Sequence, residues 1–569
     1  MMDAPGRMGL KLFVAFFLFF TLLGHGYIEN PDAEVEYQTA RSLVLRGGTG
    51  LSGSHADASA SERYLCSMPK PFDLMQGRDG KWYSWFGVGH ALSLAPFYAL
   101  GRGLGAILPR VERRYALSWE KDRGAVPEAV AQAFGEEFWA RLLVSLHSPL
   151  FGALLCLVLF RILGHLGFGM GTCLLGVLAA ALCSQFGPET RESMADTTTA
   201  FFLFAAIERV LSGWRGGAPP RAFWIAGLLG GYGFLCRPFL VLPLFFLGIF
   251  LLLASADRGG KMGGRFLLLA PGRIGWKPAL LFALGLLPFG LFQLWFNFAR
   301  FGNPLELGYS AGTSEGYWSF PFHLGFFFLG WSFGKGVFFF SPLLWLAPLA
   351  WNRLRRRESL LAFSLLGVFL SPWILSSFMT GWHSSQAWGV RYLTPMAAFF
   401  SALTVASLSE QGGPRLKAGL ASLALLGLLA QAGGWLTPYH GFYDLAFRSA
   451  ARQWPEVPAG NRIHLIATDL AYSPLHGHWT YALLSAQGRI PEGRGPEVYK
   501  ALFGRPFDLS PRPGLPEDSS FRHFWWKGLG IRLDSSLPSL LAWLLLALLL
   551  YKILQIRALL ASVLSRNCR

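Results

Sequence analysis

The chain has 569 residues, of which 53% are hydrophobic and 15% charged, and its mean hydropathy is +0.38. Soluble domains carry about 25% charged residues, so a string of ordinary globular domains is excluded and a polytopic membrane protein is expected. The formal net charge of +17 would raise nucleic acid as a partner in a soluble protein. No stretch alternates basic and aromatic residues as a nucleic-acid groove would, and basic residues collect on the cytoplasmic side of membrane proteins.

The first apolar run, Leu10 to Tyr27, has Arg7 and Lys11 at its start and lacks a small-residue cleavage site, so it reads as a retained anchor with the N-terminus in the cytoplasm. The next stretch is NPDAEVEYQTARSLVLRGG, Asn30 to Gly48. Asn30 suits an N-cap, Pro31 the first helical position, and Gly47 and Gly48 the stop, which predicts one helix. It holds three acids, Asp32, Glu34 and Glu36. Acids there complement a helix dipole, but carboxylates at a membrane surface also suit proton transfer. Asp32 and Glu36 are four apart and share a face, whereas Glu34 points elsewhere. Either the pair or Glu34 alone can face a site, with Asp32 the first candidate, Glu34 the second and Glu36 the structural member.

The run Val88–Leu108 is interrupted by Pro96, Gly101, Arg102 and Gly103 and reads as an interfacial helix in the first loop, 28–137. Further spans are expected at Phe138–Ile162, Phe168–Ser184, Ala195–Ser212, Phe223–Cys236, Phe239–Ala254, Pro278–Phe298, Gly336–Trp351, Leu360–Phe378, Tyr392–Leu408, Ala418–Leu436 and Leu537–Leu554. With the first, the fold class is all-α and polytopic, with about twelve transmembrane helices of roughly 20 residues each. If Val88–Leu108 does not span, the basic loops all fall on one side. They hold Arg209 and Arg215, then Arg258, Lys261, Arg265 and Arg273, then Arg353 to Arg357, then Arg415 and Lys417, and the tail with Arg557 and Arg566. That side is cytoplasmic by the positive-inside rule. The N- and C-termini are then cytoplasmic and the remaining polar loops extracytoplasmic. Residues 1–436 form a transmembrane module, 437–536 a small loop-rich extracytoplasmic cap, and 537–569 a last span with a basic tail.

Several other residues are candidates for binding. Lys81, Tyr83 and His90 lie in KWYSWFGVGHALSLAPFYALG and suit a phosphate or a sugar, though such residues also anchor helices at the bilayer interface. Asp196 stands at the mouth of a span, where ionisable groups are expensive and usually functional. Arg237, Arg300, Lys335 and Arg391 are basic residues at the outer edge, suited to a lipid phosphate. Trp382, His383, Trp388 and Arg391 share one loop and suit a sugar face. The six cysteines show no CxxC or Cys/His ligand spacing, so neither a disulfide framework nor a zinc site is expected.

The order of PDAEVEYQTARSL, YSWFGVGHALSLAPFYALG, EEFWARL, FGNPLELGY, a Gly-Lys-Gly stretch before SPLL, and WGVRYLTP resembles the GT-C superfamily of polytopic glycosyltransferases. Protein O-mannosyltransferases and aminoarabinose transferases are among its members. The resemblance covers about Leu10 to Leu408. It implies a sugar donor on a polyprenyl phosphate and an acceptor hydroxyl on a glycan, lipid or protein. It also implies a catalytic acid at Asp32 or Glu34 and a second at Asp196. The family's paired Asp-Glu is split here by Ala33, which leaves the choice between Asp32 and Glu34 open. Donor contacts are expected from Lys81, Tyr83, His90, Arg237, Lys335, His383 and Arg391. No cofactor is required, although carboxylates could hold a divalent metal. The expected location is the inner (plasma) membrane, with an extracytoplasmic active site. A transporter or flippase of lipid-linked saccharides is the alternative, although few spans carry acids; a non-catalytic subunit of an envelope assembly complex is a third reading.

Overall fold

A chain in lipid must satisfy its backbone N–H and C=O groups internally, and helices do so within one segment. The computed structural model follows that rule. It describes residues 4–28, 30–68, 73–120, 132, 135–215, 217–254, 276–311, 316–490, 495–504 and 522–567. Among these, the one sheet is the antiparallel hairpin Leu74–Gln76/Trp82–Ser84, with Met75 opposite Tyr83. The expected basic loop with Arg258, Lys261, Arg265 and Arg273 lies outside the described residues, as do Cys568 and Arg569.

Among the described residues, seven helices are long and apolar enough to cross a bilayer: Pro5–Leu23, Phe138–His165, Trp276–Phe301, Ser359–Ser376, Arg391–Gln411, Pro414–Leu436 and Leu537–Val563. Four more apolar helices, Met170–Cys183, Arg221–Cys236, Pro238–Ala254 and Phe322–Trp331, are shorter. At 1.5 Å per residue the longest of these falls short of a hydrocarbon core of about 30 Å. Ala195–Arg215 is long enough but carries Asp196, Glu208, Arg209 and Arg215. The run Val88–Ile107 is a helix that turns by 99° into Pro109–Trp119, and together they would make an eighth span.

Two expectations are corrected. Gly336–Trp351 is not one helix. It breaks into Val337–Phe340, a 3-10 turn at Pro342–Leu346 and Ala347–Arg357. Pro342 and Pro348 lack the N–H groups that a continuous helix needs. Conversely, Phe322–Trp331 is an apolar helix inside a stretch read as loop. At ten residues it is too short to give a span-length signal.

Helix association in lipid depends on close packing more than on hydrophobicity, and small residues permit it. The segment Arg391–Gln411 illustrates this. Ala397, Ala398, Ser401, Ala402, Thr404 and Ala406 are buried, and it is the most enclosed of the seven. Leu537–Val563 is the most exposed, presenting Leu540, Trp543, Leu544 and Leu550 outward.

The cap is corrected as well. It is helical where described: Tyr439–Gln453, Ala459–Thr468, Pro474–Ala486, Gly495–Phe503 and Trp525–Leu533. Tyr439, Phe442, Tyr443, Tyr472, Tyr481, Tyr499 and Phe503 form its core, together with Phe340 and Trp388 from the bundle. Its helices have 9–15 residues and are separated by Pro and Gly, so no long period shows in the sequence.

Candidate active site

The site is built on the helix Pro31–Arg46, hereafter the acidic helix. It begins and ends as its residues dictate. The Asn30 side chain accepts from the Asp32 N–H at 2.9 Å, Pro31 opens the first turn, and Gly47 closes it at φ 69°. A Cβ is disfavoured at that angle. Ala33, Tyr37 and Ala40 pack against Ala91, Leu94 and Tyr98 of the helix Val88–Ile107. The start of that second helix leans on the Cys236–Arg237 turn. A Cβ on Gly87 would stand 2.1 Å from the Leu235 carbonyl oxygen, so glycine is required there. These contacts bring the acidic helix to Arg237.

Four chain-distant charges meet at its first turn. Arg391 donates from Nη2 to Asp32 Oδ2 and from Nη1 to the Met194 sulfur. Arg237 Nη2 donates to Asp196 Oδ2 at 2.9 Å, and Arg391 Nε lies 3.8 Å from the same oxygen. All four side chains are at least nine-tenths buried. Two guanidiniums thus face two carboxylates, and the cluster balances without external ions. Buried charges require such pairing.

Two further acids adjoin it. The buried Asp73 carboxyl stands beside Asp32, close enough for each to shift the other's proton affinity, and its Oδ2 has no hydrogen-bond partner among the described residues. Burial, and then the Asp32 charge, push Asp73 well above the usual carboxylate range. Burial also pushes Asp32 up, but Arg391, Asp73 and Arg237 outweigh it and hold Asp32 below its ordinary value. Asp73 sits at φ 57°, a left-handed conformation that costs a non-glycine residue energy and is held by its surroundings. Glu36 is 2% exposed, and neither of its carboxyl oxygens has a hydrogen-bond partner among the described residues. Burial pushes it up to about 8.

The sequence candidates divide into three groups. Asp32, Asp196, Arg237 and Arg391 come together, and His90 is buried nearby with its Nε2 3.6 Å from Glu36. Lys335 and His383 stand behind Arg391. The Lys335 Nζ donates to the Ala387 carbonyl at 2.6 Å and lies 5.0 Å over the Tyr443 ring. Burial lowers it to about 7, against the pull of Glu189. The His383 Nδ1 accepts from the Ser385 N–H at 3.0 Å, and its ring meets His464 at 4.9 Å. Burial, then His464, keep His383 well below its ordinary value. The third group is elsewhere. Glu34 turns to Arg141, which grips it with two bonds of 2.7 and 2.9 Å. Lys81 and Tyr83 lie on the hairpin against Asp79, at 3.3 and 2.9 Å. Arg300 is buried between the Ser84 carbonyl and Asn297, at 2.9 Å from each.

Asp73 was not among the candidates. A single Asp in KPFDLM carries no local signal, and only the fold brings it to Asp32. Glu36 did carry a signal, its four-residue spacing from Asp32, but was read as structural. Among the described residues no group of three or more His, Cys, Asp or Glu side chains is arranged to hold a metal.

An apolar groove of about 580 Å³ runs along the helices that flank Arg237. Phe234, Leu244, Phe245, Ala283 and Leu286 line it.

Residues 126–270 match the family described as dolichyl-phosphate-mannose-protein mannosyltransferase. That stretch contains Arg141, Asp196 and Arg237. Among solved structures, the chain is similar to ArnT from Cupriavidus metallidurans bound to undecaprenyl phosphate, at 14% identity. The match covers 89% of this chain and 86% of that one, with a TM-score of 0.45. ArnT from the same organism in the apo state matches at 17% identity over 89% and 85%, with a TM-score of 0.42. Comparison with curated proteins gives no match.

Proposed function

We propose that this chain is a membrane glycosyltransferase that moves a sugar from a polyprenyl-phosphate donor to an acceptor hydroxyl on the extracytoplasmic face of the inner membrane. The acceptor would belong to a glycan, a lipid or a protein. The observation that carries the reading is the buried set of Asp32, Asp73, Asp196, Arg237 and Arg391. It places a candidate proton acceptor beside two guanidiniums suited to a phosphate. The mannosyltransferase match over 126–270 supports the same reaction class.

The electrostatics supply a mechanism. Arg391 holds Asp32 ionised and weakly basic while the two are paired. A donor phosphate that engages Arg391 and Arg237 competes for those N–H groups. Asp32 then loses its main counter-charge, and burial raises its proton affinity. Donor binding therefore activates the base. The acceptor oxygen bonds to the sugar's anomeric carbon as its proton passes to Asp32. The bond from that carbon to the phosphate oxygen breaks, and Arg237 and Arg391 stabilise the departing charge. The polyprenyl tail would occupy the apolar groove along the two helices that the Arg237 turn joins. A monophosphate leaving group neutralised by two arginines needs no metal, so donor turnover should persist in a chelator.

The test is direct. Purified protein is given a polyprenyl-phosphate sugar and a membrane extract, and loss of donor is followed. Turnover that survives Asp32→Asn overturns the mechanism. A reporter fused after Gly48 that is active only in the cytoplasm overturns the sidedness.

A further inference from the structure

Glu36 has a part that the reaction above leaves unused. It follows Asp32 by one helical turn, on the same face, and both of its carboxyl oxygens are buried without a hydrogen-bond partner among the described residues. Such groups are rare, because an unbonded buried carboxylate is costly. Its surroundings explain where its proton must be. His90 Nε2 is 3.6 Å away and also 3.0 Å from the Ser193 carbonyl oxygen. A carbonyl only accepts, so Nε2 carries a hydrogen directed there. Nδ1 then accepts from the Thr198 hydroxyl at 3.2 Å. With both ring nitrogens so engaged, His90 offers Glu36 no open nitrogen. Asp32 on the same helix and Asp196 opposite add negative charge. Arg237 and Arg391 oppose that but are already paired with those two acids. Cys236 lies on the same side, and Arg300 faces Glu36 across a narrow void also lined by Thr39, Ser84 and Phe86. Glu36 is thus a neutral acid with no acceptor, beside the arginines proposed to receive a phosphate.

We propose that Glu36 is the proton donor to the departing phosphate and works as a pair with Asp32. This rests on the glycosyltransfer reading above. The acceptor oxygen bonds to the anomeric carbon, and its proton goes to Asp32. The bond from that carbon to the phosphate breaks, its electron pair stays on the phosphate oxygen, and that oxygen takes the Glu36 proton. The lipid phosphate leaves as a hydrogen monoanion. Asp32 then returns its proton to Glu36, one turn along the same face. Donor diester and product monoester each carry one negative charge, so no proton is exchanged with solvent during turnover.

The experiment uses the full chain in detergent with undecaprenyl phosphate as the probe, and reads its affinity between pH 6.5 and pH 9.5, values spanning the shifted Glu36 titration. A phosphate monoester has its second pKa near about 6, so most of the remaining pH dependence over this range belongs to the protein. Wild-type affinity is expected to fall as Glu36 ionises, by up to about tenfold per pH unit above its midpoint for a one-proton linkage. Glu36→Gln, whose amide donates a hydrogen bond but cannot ionise, is expected to bind at pH 7 within about threefold of wild type and to lose that step. The same step in Glu36→Gln, or none in wild type, overturns the proposal. Wild-type protein with no saturable binding at any pH overturns the glycosyltransfer reading itself, a separate result. Should the variant misfold, infrared difference spectra of wild type decide. The carbonyl stretch of a protonated carboxyl must shift when undecaprenyl phosphate binds, and an unmoved band overturns the assignment.

Discussion

The two faces of the acidic helix carry the same residue types in opposite conditions. On one face Glu34 is gripped by Arg141 and also accepts from Gln38 at 2.9 Å. Nearby, Glu137 accepts from Tyr37 and Tyr98 at 2.8 Å each and from Arg41 at 2.9 Å. Glu62 accepts from Arg46 at 2.8 Å and from the Ser52 N–H at 2.9 Å. This network is satisfied and ties the first loop to the helix that starts at Phe138. On the other face Asp32 is held by Arg391 with Asp73 beside it, and Glu36 has no hydrogen-bond partner among the described residues. Glu34 and Asp32 are each held by an arginine, so what sets the second face apart is Glu36, buried without such a partner among the described residues.

The sharpest way to break that contrast is at Arg391. Arg391→Met leaves Asp32 buried without its cation, and removing one partner of a buried pair costs about 3–5 kcal/mol. Both the midpoint of thermal unfolding in detergent and donor turnover should fall. Asp32→Asn keeps a side-chain oxygen for Arg391, which also has Asp196 at 3.8 Å, so it should cost less stability while turnover drops by about 10²–10⁴-fold, the contribution of a general base. On the satisfied face the pattern should invert. Arg141→Met should destabilise by a comparable few kcal/mol, about 3–5 at most, while turnover per folded molecule is retained. Loss of turnover in a folded Arg141 variant would show that the two faces are one site.

A pH series sharpens the contrast further. Glu36 titrates at about 8 in the folded chain against 4.5 when unperturbed. The folded state therefore binds the extra proton between those values. Its contribution to stability is complete below pH 4.5 and is lost as pH rises through 8. Glu36→Gln should flatten that part of the stability profile, and wild-type and variant melting curves at pH 5 and pH 8 measure it. The smallest effect is expected at Lys81, which is exposed on the hairpin. Lys81→Ala should change stability by no more than about 0.5 kcal/mol.

Much of this was legible before the fold. The N-cap, the proline, the glycine stop and the division of Asp32 and Glu36 from Glu34 follow from helical geometry and local chemistry, which depend on near neighbours. Most apolar helices were legible too, since a bilayer imposes length and hydropathy on each segment separately. Gly336–Trp351 misled because hydropathy does not register that Pro342 and Pro348 withhold backbone donors. The cap's helices were hidden because each is too short to establish a period.

The sequence by itself determined that the chain is helical, membrane-embedded and acidic just after its first apolar helix. Only the tertiary structure decided which acids are paired and with what. Arg141 could neutralise Glu34, and Arg391 could reach Asp32 across 359 positions, only once the helices had packed. Asp73 became a neighbour of Asp32 for the same reason. The proton affinity of a carboxyl depends on burial and on the charges within a few ångströms, and in this chain those charges come from residues far away in sequence.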